Sequence, residues 1–314
     1  MPALFARLTQ PWYPAAAIGL DSGVAALVYL ERTRARSCAV KRAATIPISS
    51  GLLRPSFDEP NILNPGQLAT VLRDLASSAA LLRQKRWSLS LPQASTRTFV
   101  LTVEANTSGS ELQDILKWKM ERGLGAPLEN LIVSKERLPR DSNGRERYVV
   151  AGISKSVLDE YEMLFASLGW KVGLILPRHL GEAQWLIRDG AQQDALLLSS
   201  TNEGFTAVVF RDNHPLILRS VSCGAGECED ELYRLLLFYR DRRTDEKHES
   251  PVPLSRMMVI GDGFTKKRVR EILVDALGAD LQPLEASDVG LMLPGNELNF
   301  DAIAAPAGLA TLGL

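Results

Sequence analysis

Cysteine and histidine are scarce in this chain of 314 residues, which contains three of each. The cysteines are Cys38, Cys223 and Cys228, and their spacing matches neither a zinc-binding motif nor a disulfide framework. We therefore expect no zinc site and no disulfide, and we interpret Cys223 and Cys228 as small buried apolar residues. This cysteine usage is typical of a reducing compartment.

An excess of charge of one sign is also lacking. The chain has 36 Lys and Arg against 37 Asp and Glu, and its formal net charge is −1 at pH 7. This balance argues against a nucleic-acid partner, because such partners select basic surfaces. No apolar run reaches the about 18 residues needed to span a bilayer, and the first residues do not read as a signal segment. We expect a cytoplasmic protein without direct membrane insertion.

Two distant segments of the chain share one pattern. An apolar run at 16–20 is followed by the turn Asp21-Ser22-Gly23 and a second apolar run at 24–31. The pattern recurs with apolar runs at 195–198 and 205–210 around a polar turn. A charged turn and a third strand follow in both cases, so the sequence predicts two halves built alike, with a cleft between them.

The predicted elements divide the chain into four parts. Residues 1–14 form an N-terminal arm, and 15–92 form the first half, with three strands, a helix through Leu82 and a further strand. Residues 93–176 form an inserted α+β subdomain with the order βαββαβ. Residues 177–314 contain a linking helix and the second half, with a reduced subdomain around 224–255.

Five segments occur in the order found in PilM, an actin-like protein of type IV pilus assembly. They are residues 18–23, 89–92, 111–127, 151–169 and 260–263. The chain resembles the PilM family from about residue 15 to its end, and is more distantly similar to the cytoplasmic part of GspL and to FtsA. The resemblance implies an α/β protein with a duplicated actin-like (ribonuclease H-like) fold, an inserted small α+β subdomain and a nucleotide between the halves.

The resemblance assigns three turns to that nucleotide. The first two would hold phosphates and correspond to Asp21, Ser22 and Gly23 and to Ser199 and Ser200. The third would hold the adenosine and corresponds to Gly261, Asp262 and Gly263.

Each turn departs from the family pattern. Val24, Ala25 and Ala26 replace small polar residues, and Val28 replaces a lysine. In the second turn Ser199 replaces an aspartate and Glu203 would repel phosphates. Each lost hydrogen bond to phosphate weakens the binding free energy of the nucleotide by roughly 1.5–3 kcal/mol. We therefore expect a degenerate site without catalytic residues, metal or bound nucleotide.

Two alternatives stay open for this cleft. Asp21 either retains a role toward metal or phosphate or is a turn aspartate that bonds its own backbone. The chain could also be an active actin-fold ATPase or small-molecule kinase that binds ATP or ADP with Mg between the halves. An ATPase would need a second carboxylate opposite Asp21, where Ser199 lies.

The resemblance further implies a partner and a cellular role. The partner would be a membrane-anchored PilN-like protein, whose N-terminal cytoplasmic peptide enters a groove in or beside residues 88–175. Trp118 lies on a predicted amphipathic helix of that region, off the face that packs in the core, and is a candidate contact residue. We expect a non-catalytic adaptor of a type IV pilus or type II secretion-like machine, peripheral to the inner membrane through this partner. A homo-oligomer or an FtsA-like filament remains an alternative.

Overall fold

The computed structural model describes residues 13–34, 37–104, 109–188, 193–245, 254–295 and 298–314. The predicted arm at 1–14 lies outside this part except for its last two residues. The described strands are β1 (Ala16–Leu20), β2 (Val24–Arg34), β3 (Ser37–Pro47), β4 (Arg86–Leu91), β5 (Arg97–Val103), β6 (Leu131–Leu138), β7 (Glu146–Ser154), β8 (Lys171–Pro177), β9 (Ala195–Thr201), β10 (Gly204–Arg211), β11 (His214–Ser222), β12 (Arg256–Gly261) and β13 (Leu291–Met292). The described helices are α1 (Pro65–Ser78), α2 (Gly109–Leu124), α3 (Lys155–Ser167), α4 (Arg178–Ile187), α5 (Ala225–Asp245), α6 (Lys266–Leu277) and α7 (Phe300–Thr311).

The first sheet has six strands in the order β13-β3-β2-β1-β4-β8. Its central strand β1 pairs antiparallel with β2 and parallel with β4. Every residue of β1 is buried, because helices cover both faces of the sheet. Ile18 points into the core formed with α1 and α3, whereas Ala17 points into the core that contains α4 and α7.

The second sheet repeats this arrangement with four strands in the order β11-β10-β9-β12. Its strand β9 pairs antiparallel with β10 and parallel with β12, as β1 does with β2 and β4. The predicted duplication is therefore confirmed. Helices α4 and α7 lie between the two sheets, where their apolar residues share one core with strands from both halves.

The third sheet is smaller and differs from the predicted βαββαβ arrangement. Within the described part of the chain it contains β5, β7 and β6, in that order. The last predicted strand, β8, instead pairs parallel with β4 in the first sheet. Trp170 fixes this placement, since its ring lies 5.3 Å from that of Trp87 on β4. Helix α3 also packs in the first-half core, through Tyr161 and Phe165.

Helix α1 is shorter than the predicted helix through Leu82. It ends at Ser78, and Ala80 adopts a left-handed conformation with φ of 55°. The amide of Leu81 then bonds to the carbonyl of Ala76, which closes the helix terminus. Leu82 is consequently exposed instead of buried.

Helices α4 and α7 cross at unusually close range. A Cβ on Gly308 of α7 would lie 1.9 Å from the carbonyl oxygen of Gly181 on α4. Only glycine allows this approach, and it lets α7 fill the space between the sheets. A Cβ on Gly19 of β1 would likewise meet Pro306 of α7 at 2.9 Å.

The interpretation of Cys223 and Cys228 as unbonded apolar residues is wrong. The two cysteines form a disulfide, with 5.4 Å between their Cα atoms. The short connection between β11 and α5 brings together two residues that the sequence spacing alone did not pair.

Among the described residues, no helix combines the length and the apolar character that crossing a bilayer requires.

Candidate functional site

A cleft opens where the turns after β1 and β9 approach each other. Its cavity measures about 470 Å³. The turn Asp21-Ser22-Gly23 lines it on the first half, and residues 201–203 and Asp262 line it on the second. The first turn of α7, with Asp301, completes the lining. The strand order therefore places the first turn opposite its counterpart in the second half.

Asp21 has both a backbone and a side-chain partner. Its Oδ1 accepts a hydrogen bond of 2.8 Å from the amide of Ser22, and its own amide donates to the carbonyl of Val24. Its Oδ2 accepts from the Nη1 of Arg178. The turn role considered for Asp21 is thus present, together with an ion pair that the sequence did not indicate.

Arg178 lies at the start of α4 and holds two carboxylates. Its Nε donates to Oε1 of Glu182, one turn along the helix, over 2.7 Å. The side chains of Arg178, Asp21 and Glu182 are 11%, 19% and 0% exposed. Burial opposes the charge on Arg178, but the carboxylates of Glu182 and Asp21 outweigh it and raise the pKa of the guanidinium. Arg178 therefore stays charged and is shared by two acids.

The other charged residues that line the cleft are acidic. Glu203, Asp262 and Asp301 all line the cavity, and among the described lining residues Arg178 is the only arginine or lysine. Burial raises the pKa of Asp301, against the opposing effect of the charge on Lys266. The one cation of the cleft is thus already neutralised, and further carboxylates surround it.

Five of the eight predicted site residues line the cleft. These are Asp21, Ser22, Gly23, Gly261 and Asp262.

The other three predicted residues do not line it. Ser199 is fully buried in β9, and the Oγ of Ser200 donates to the carbonyl of Ile260 on β12. A Cβ on Gly263 would lie 2.4 Å from the carbonyl of Thr201, and one on Gly261 would lie 2.0 Å from that of Ser200. These glycines let the end of β12 pack against the end of β9, which accounts for them without a nucleotide.

The cleft fits a magnesium triphosphate poorly. Ala25 and Ala26 are buried in β2, where they pair with β3 and offer no hydroxyl. Phosphate sites rely on cationic side chains and free backbone donors. Here the single cation is engaged by Asp21 and Glu182. Among the described residues, no three His, Cys, Asp or Glu side chains are placed to hold a metal ion.

A second cavity adjoins the cleft. This groove measures about 690 Å³, and both cavities share Asp21, Ser22, Thr201 and Glu203 in their linings. Its walls come from residues 55–58 of the first half, residues 92–99 at the start of the small sheet, and residues 218–222 of β11. The groove thus lies where three parts of the fold meet.

Arg97 ties two walls of the groove together. Its Nη2 lies 3.1 Å from Oδ2 of Asp58, and its guanidinium lies 4.1 Å from the centre of the Phe57 ring. Its Nη1 donates to the carbonyl of Leu124 at the end of α2. One arginine therefore holds the 55–58 segment against the small sheet.

Asn61 orders the loop that carries residues 55–58, and sequence reasoning missed it. Its buried side chain donates to the carbonyls of Ser56 and Glu59, and its Oδ1 accepts from the hydroxyls of Ser95 and Tyr161. The only signal in the sequence is an asparagine between two prolines, which predicts a turn and no buried network.

Trp118 has the exposure that its helical position predicts. Its side chain is 55% exposed on α2, and the guanidinium of Arg122 lies 5.4 Å from the ring centre. Neither cavity includes it. The exposed tryptophan is therefore separate from the groove.

The strand order β3-β2-β1-β4 of the first sheet matches the order β11-β10-β9-β12 of the second. Together with the helices between the sheets and the cleft at their turns, this repeat defines an actin-like fold. No protein-family model matches this sequence, and no curated protein sequence matches it significantly. Among solved structures, the chain is similar to one described as a PilM-PilN type IV pilus biogenesis complex, with a TM-score of 0.74. That likeness covers 96% of this chain and 99% of the other at 18% identity, and it confirms the predicted resemblance to PilM in fold.

Two further structures are similar at lower scores. One is a Bacteroides thetaiotaomicron protein with an actin-like ATPase fold, with a TM-score of 0.49 at 13% identity over 97% of both chains. The other is the cytoplasmic domain of EpsL, an inner membrane component of the type II secretion system of Vibrio cholerae. It has a TM-score of 0.46 at 11% identity over 94% of both chains.

Proposed function

We propose that this chain is a non-catalytic adaptor that binds the N-terminal cytoplasmic peptide of a PilN-like membrane protein within a type IV pilus or type II secretion-like machine. The observation that carries the proposal is the groove between residues 55–58, 92–99 and 218–222. The neighbouring structure of a PilM-PilN complex supports the choice of partner. The chain would reach the inner membrane through that partner.

Two sheet edges border the groove and favour an extended ligand. β5 is an outer strand of the small sheet, and β11 is an outer strand of the second sheet. They approach each other where Nη2 of Arg147, on β7, donates to the carbonyls of Pro215 and Leu216. Beyond that contact, residues 97–99 and 218–222 separate and line the groove. An extended peptide can add to such an edge through main-chain hydrogen bonds, with specificity from alternate side chains.

The non-catalytic part of the proposal rests on the charge of the cleft. Arg178 is shared by Asp21 and Glu182, and Glu203 and Asp262 line the same cavity. A triphosphate would add negative charge beside these carboxylates without a free cation to compensate. We therefore favour a degenerate nucleotide site over the ATPase or kinase alternative.

A binding experiment tests the groove. Ala94 lies exposed in the short helix Gln93–Ser95 and lines the groove, so Ala94→Arg adds a long side chain inside it. We expect this variant to bind a fluorescent N-terminal peptide of the PilN-like protein from the same organism at least about tenfold more weakly, because the added side chain competes for the space. Fluorescence anisotropy measures the effect.

Two variants serve as controls for that experiment. Ser77→Arg adds the same charge at an exposed position of α1 outside both cavities, and Trp118→Ala alters the exposed face of α2. Both should bind the peptide like the unaltered chain. If Trp118→Ala abolishes binding and Ala94→Arg does not, the peptide docks on α2 and the assignment to the groove is wrong. No binding above a scrambled peptide would contradict the proposed partner.

A further inference from the structure

The disulfide between Cys223 and Cys228 closes a small ring at the junction of β11 and α5. Cys228 is buried at 4% exposure in the first part of α5, whereas Cys223 is only partly buried. The ring contains Gly224 and Gly226, and a Cβ added to either would meet nothing within 4 Å. Cys228 belongs to the apolar core of the second half and Cys223 packs against that core, whereas the two glycines between them have open space beside them.

The ring is connected to the wall of both cavities. The amide of Cys223 donates to the carbonyl of Glu203 over 3.2 Å. Glu203 lines the cleft and the groove, and Ser222, directly before the ring, also lines the groove. One hydrogen bond and one peptide unit thus connect the ring to the wall.

The third cysteine does not take part. Cys38 is fully buried and is a free thiol. Any thiol chemistry accessible from solvent in the folded protein is therefore expected at the 223–228 pair.

We propose that Cys223 and Cys228 are a reversible dithiol–disulfide pair, a redox modification site that controls the shared wall of the cleft and the groove. The reversibility rests on the proposed function, which places the chain in the cytoplasm. There glutathione and thioredoxin keep thiols reduced, and the disulfides that form are transient and usually catalytic or redox-sensing.

The oxidation of the two thiols to a disulfide requires an oxidant, for which we propose hydrogen peroxide. The thiolate of Cys223, the more exposed of the two residues, attacks one peroxide oxygen, and hydroxide leaves and takes up the thiol proton to form water. The thiolate of Cys228 then attacks the resulting sulfenic acid at sulfur, a second hydroxide leaves, and it is protonated to water. Two thiols and one peroxide thus give one disulfide and two waters, a two-electron oxidation. A dithiol such as thioredoxin reverses it by exchange.

Reduction changes the geometry of the ring. Two thiol sulfurs that are not bonded need van der Waals separation, so at least one of the two side chains has to rotate or the backbone between Cys223 and Cys228 has to widen. The hydrogen bond from Cys223 to Glu203 and the first turn of α5 are the contacts closest to this movement. We expect faster amide hydrogen exchange at 201–204 and 223–228 in the reduced protein than in the oxidised protein.

A thiol titration of the full chain tests the inference. The folded protein is equilibrated across mixtures of reduced and oxidised glutathione, and accessible thiols are labelled with a maleimide–polyethylene glycol reagent. We expect a single transition from two labelled thiols to none, reversed by dithiothreitol, while Cys38 reacts only after denaturation. Cys38→Ser should retain the transition, and the double variant Cys223→Ser/Cys228→Ser should lack it together with the change in exchange at 201–204.

Either of two results would overturn the inference. A pair that stays oxidised in reduced glutathione and dithiothreitol until the chain unfolds is a permanent structural bond. If both thiols still react with the maleimide reagent after treatment with peroxide and oxidised glutathione, the pair forms no disulfide in solution. Peptide binding measured in both redox states separates this inference from the proposed function. If binding is lost in both states but the thiol transition persists, the adaptor role is contradicted and the redox inference stands.

Discussion

Arg178→Met is expected to lower the free energy of unfolding by about 3–5 kcal/mol at neutral pH. The substitution keeps much of the aliphatic stem but removes the cation shared by Asp21 and Glu182. Glu182 is fully buried, so its carboxylate would lose its ionic partner away from water, and breaking a buried pair in this way costs about 3–5 kcal/mol. Denaturant-induced unfolding, followed by circular dichroism, measures the loss.

Two further variants show whether the loss comes from the unpaired carboxylates. Arg140→Met removes a surface ion pair with Glu146 in which the arginine side chain is 55% exposed, and it should cost less than about 1 kcal/mol. The double variant Arg178→Met/Glu182→Met should be more stable than Arg178→Met, because it removes the buried negative charge as well. A loss for Arg178→Met no larger than that for Arg140→Met would contradict the buried ion pair.

Acidification from pH 7.5 to pH 4.5 is expected to destabilise the chain through His179 by roughly 2–3 kcal/mol. His179 on α4 is fully buried, and neither ring nitrogen has a hydrogen-bond partner among the described residues. Burial and the charge of Arg178 lower its pKa to about 4. The unfolded chain therefore binds this proton near pH 6.5, whereas the folded chain does not bind it until about pH 4. The contribution of His179 to the free energy of unfolding is therefore fully present above pH 6.5, and it is lost as the pH falls from 6.5 to about 4.

His179→Leu isolates this contribution. The variant should show a much weaker dependence of unfolding free energy on pH between 6.5 and 4.5, with stability near that of the unaltered chain at pH 7.5. His214→Gln replaces an exposed histidine at the start of β11 and should retain the original dependence. Carboxylates with lowered pKa values, such as Asp141 and Asp280, titrate mainly below this range and are common to all three proteins. Parallel pH profiles for His179→Leu and the unaltered chain would contradict the assignment.

The duplicated core could be predicted because its signals are local. Each β-strand, turn and β-strand unit is contiguous in sequence, and the apolar runs around Asp21 and around residues 199–204 identify both copies. The resemblance in fold to PilM followed from the order of such segments, and the similarity to a solved PilM-PilN structure confirms it.

What the sequence did not predict depends on pairing between distant residues. β8 has the composition of a strand in either sheet, and only its parallel pairing with β4 assigns it to the first. Arg178 and Asp21 are 157 positions apart, so no local pattern connects them. The buried contacts of Asn61 with Ser95 and Tyr161 and the disulfide at 223–228 likewise depend on how the chain is brought together.

The three predicted site residues that lie outside the cleft have a related explanation. Gly263 occurs at the expected turn, but its missing side chain makes room for the carbonyl of Thr201. Ser199 continues a strand where a phosphate-binding turn was considered. The motif therefore predicted where each residue lies along the backbone, but it did not predict which atoms the residue contacts.

Calorimetric titration of the full chain with ATP and Mg²⁺ tests the central claim, that an internal arginine and surrounding acids have replaced the groups that would bind a triphosphate. We expect no saturable heat at millimolar ATP. Saturation at that concentration needs a binding free energy of at least about 4 kcal/mol, which corresponds to a Kd of about 1 mM. The unaltered chain and Asp21→Ala should then give the same trace. Micromolar binding that Asp21→Ala abolishes would contradict the claim.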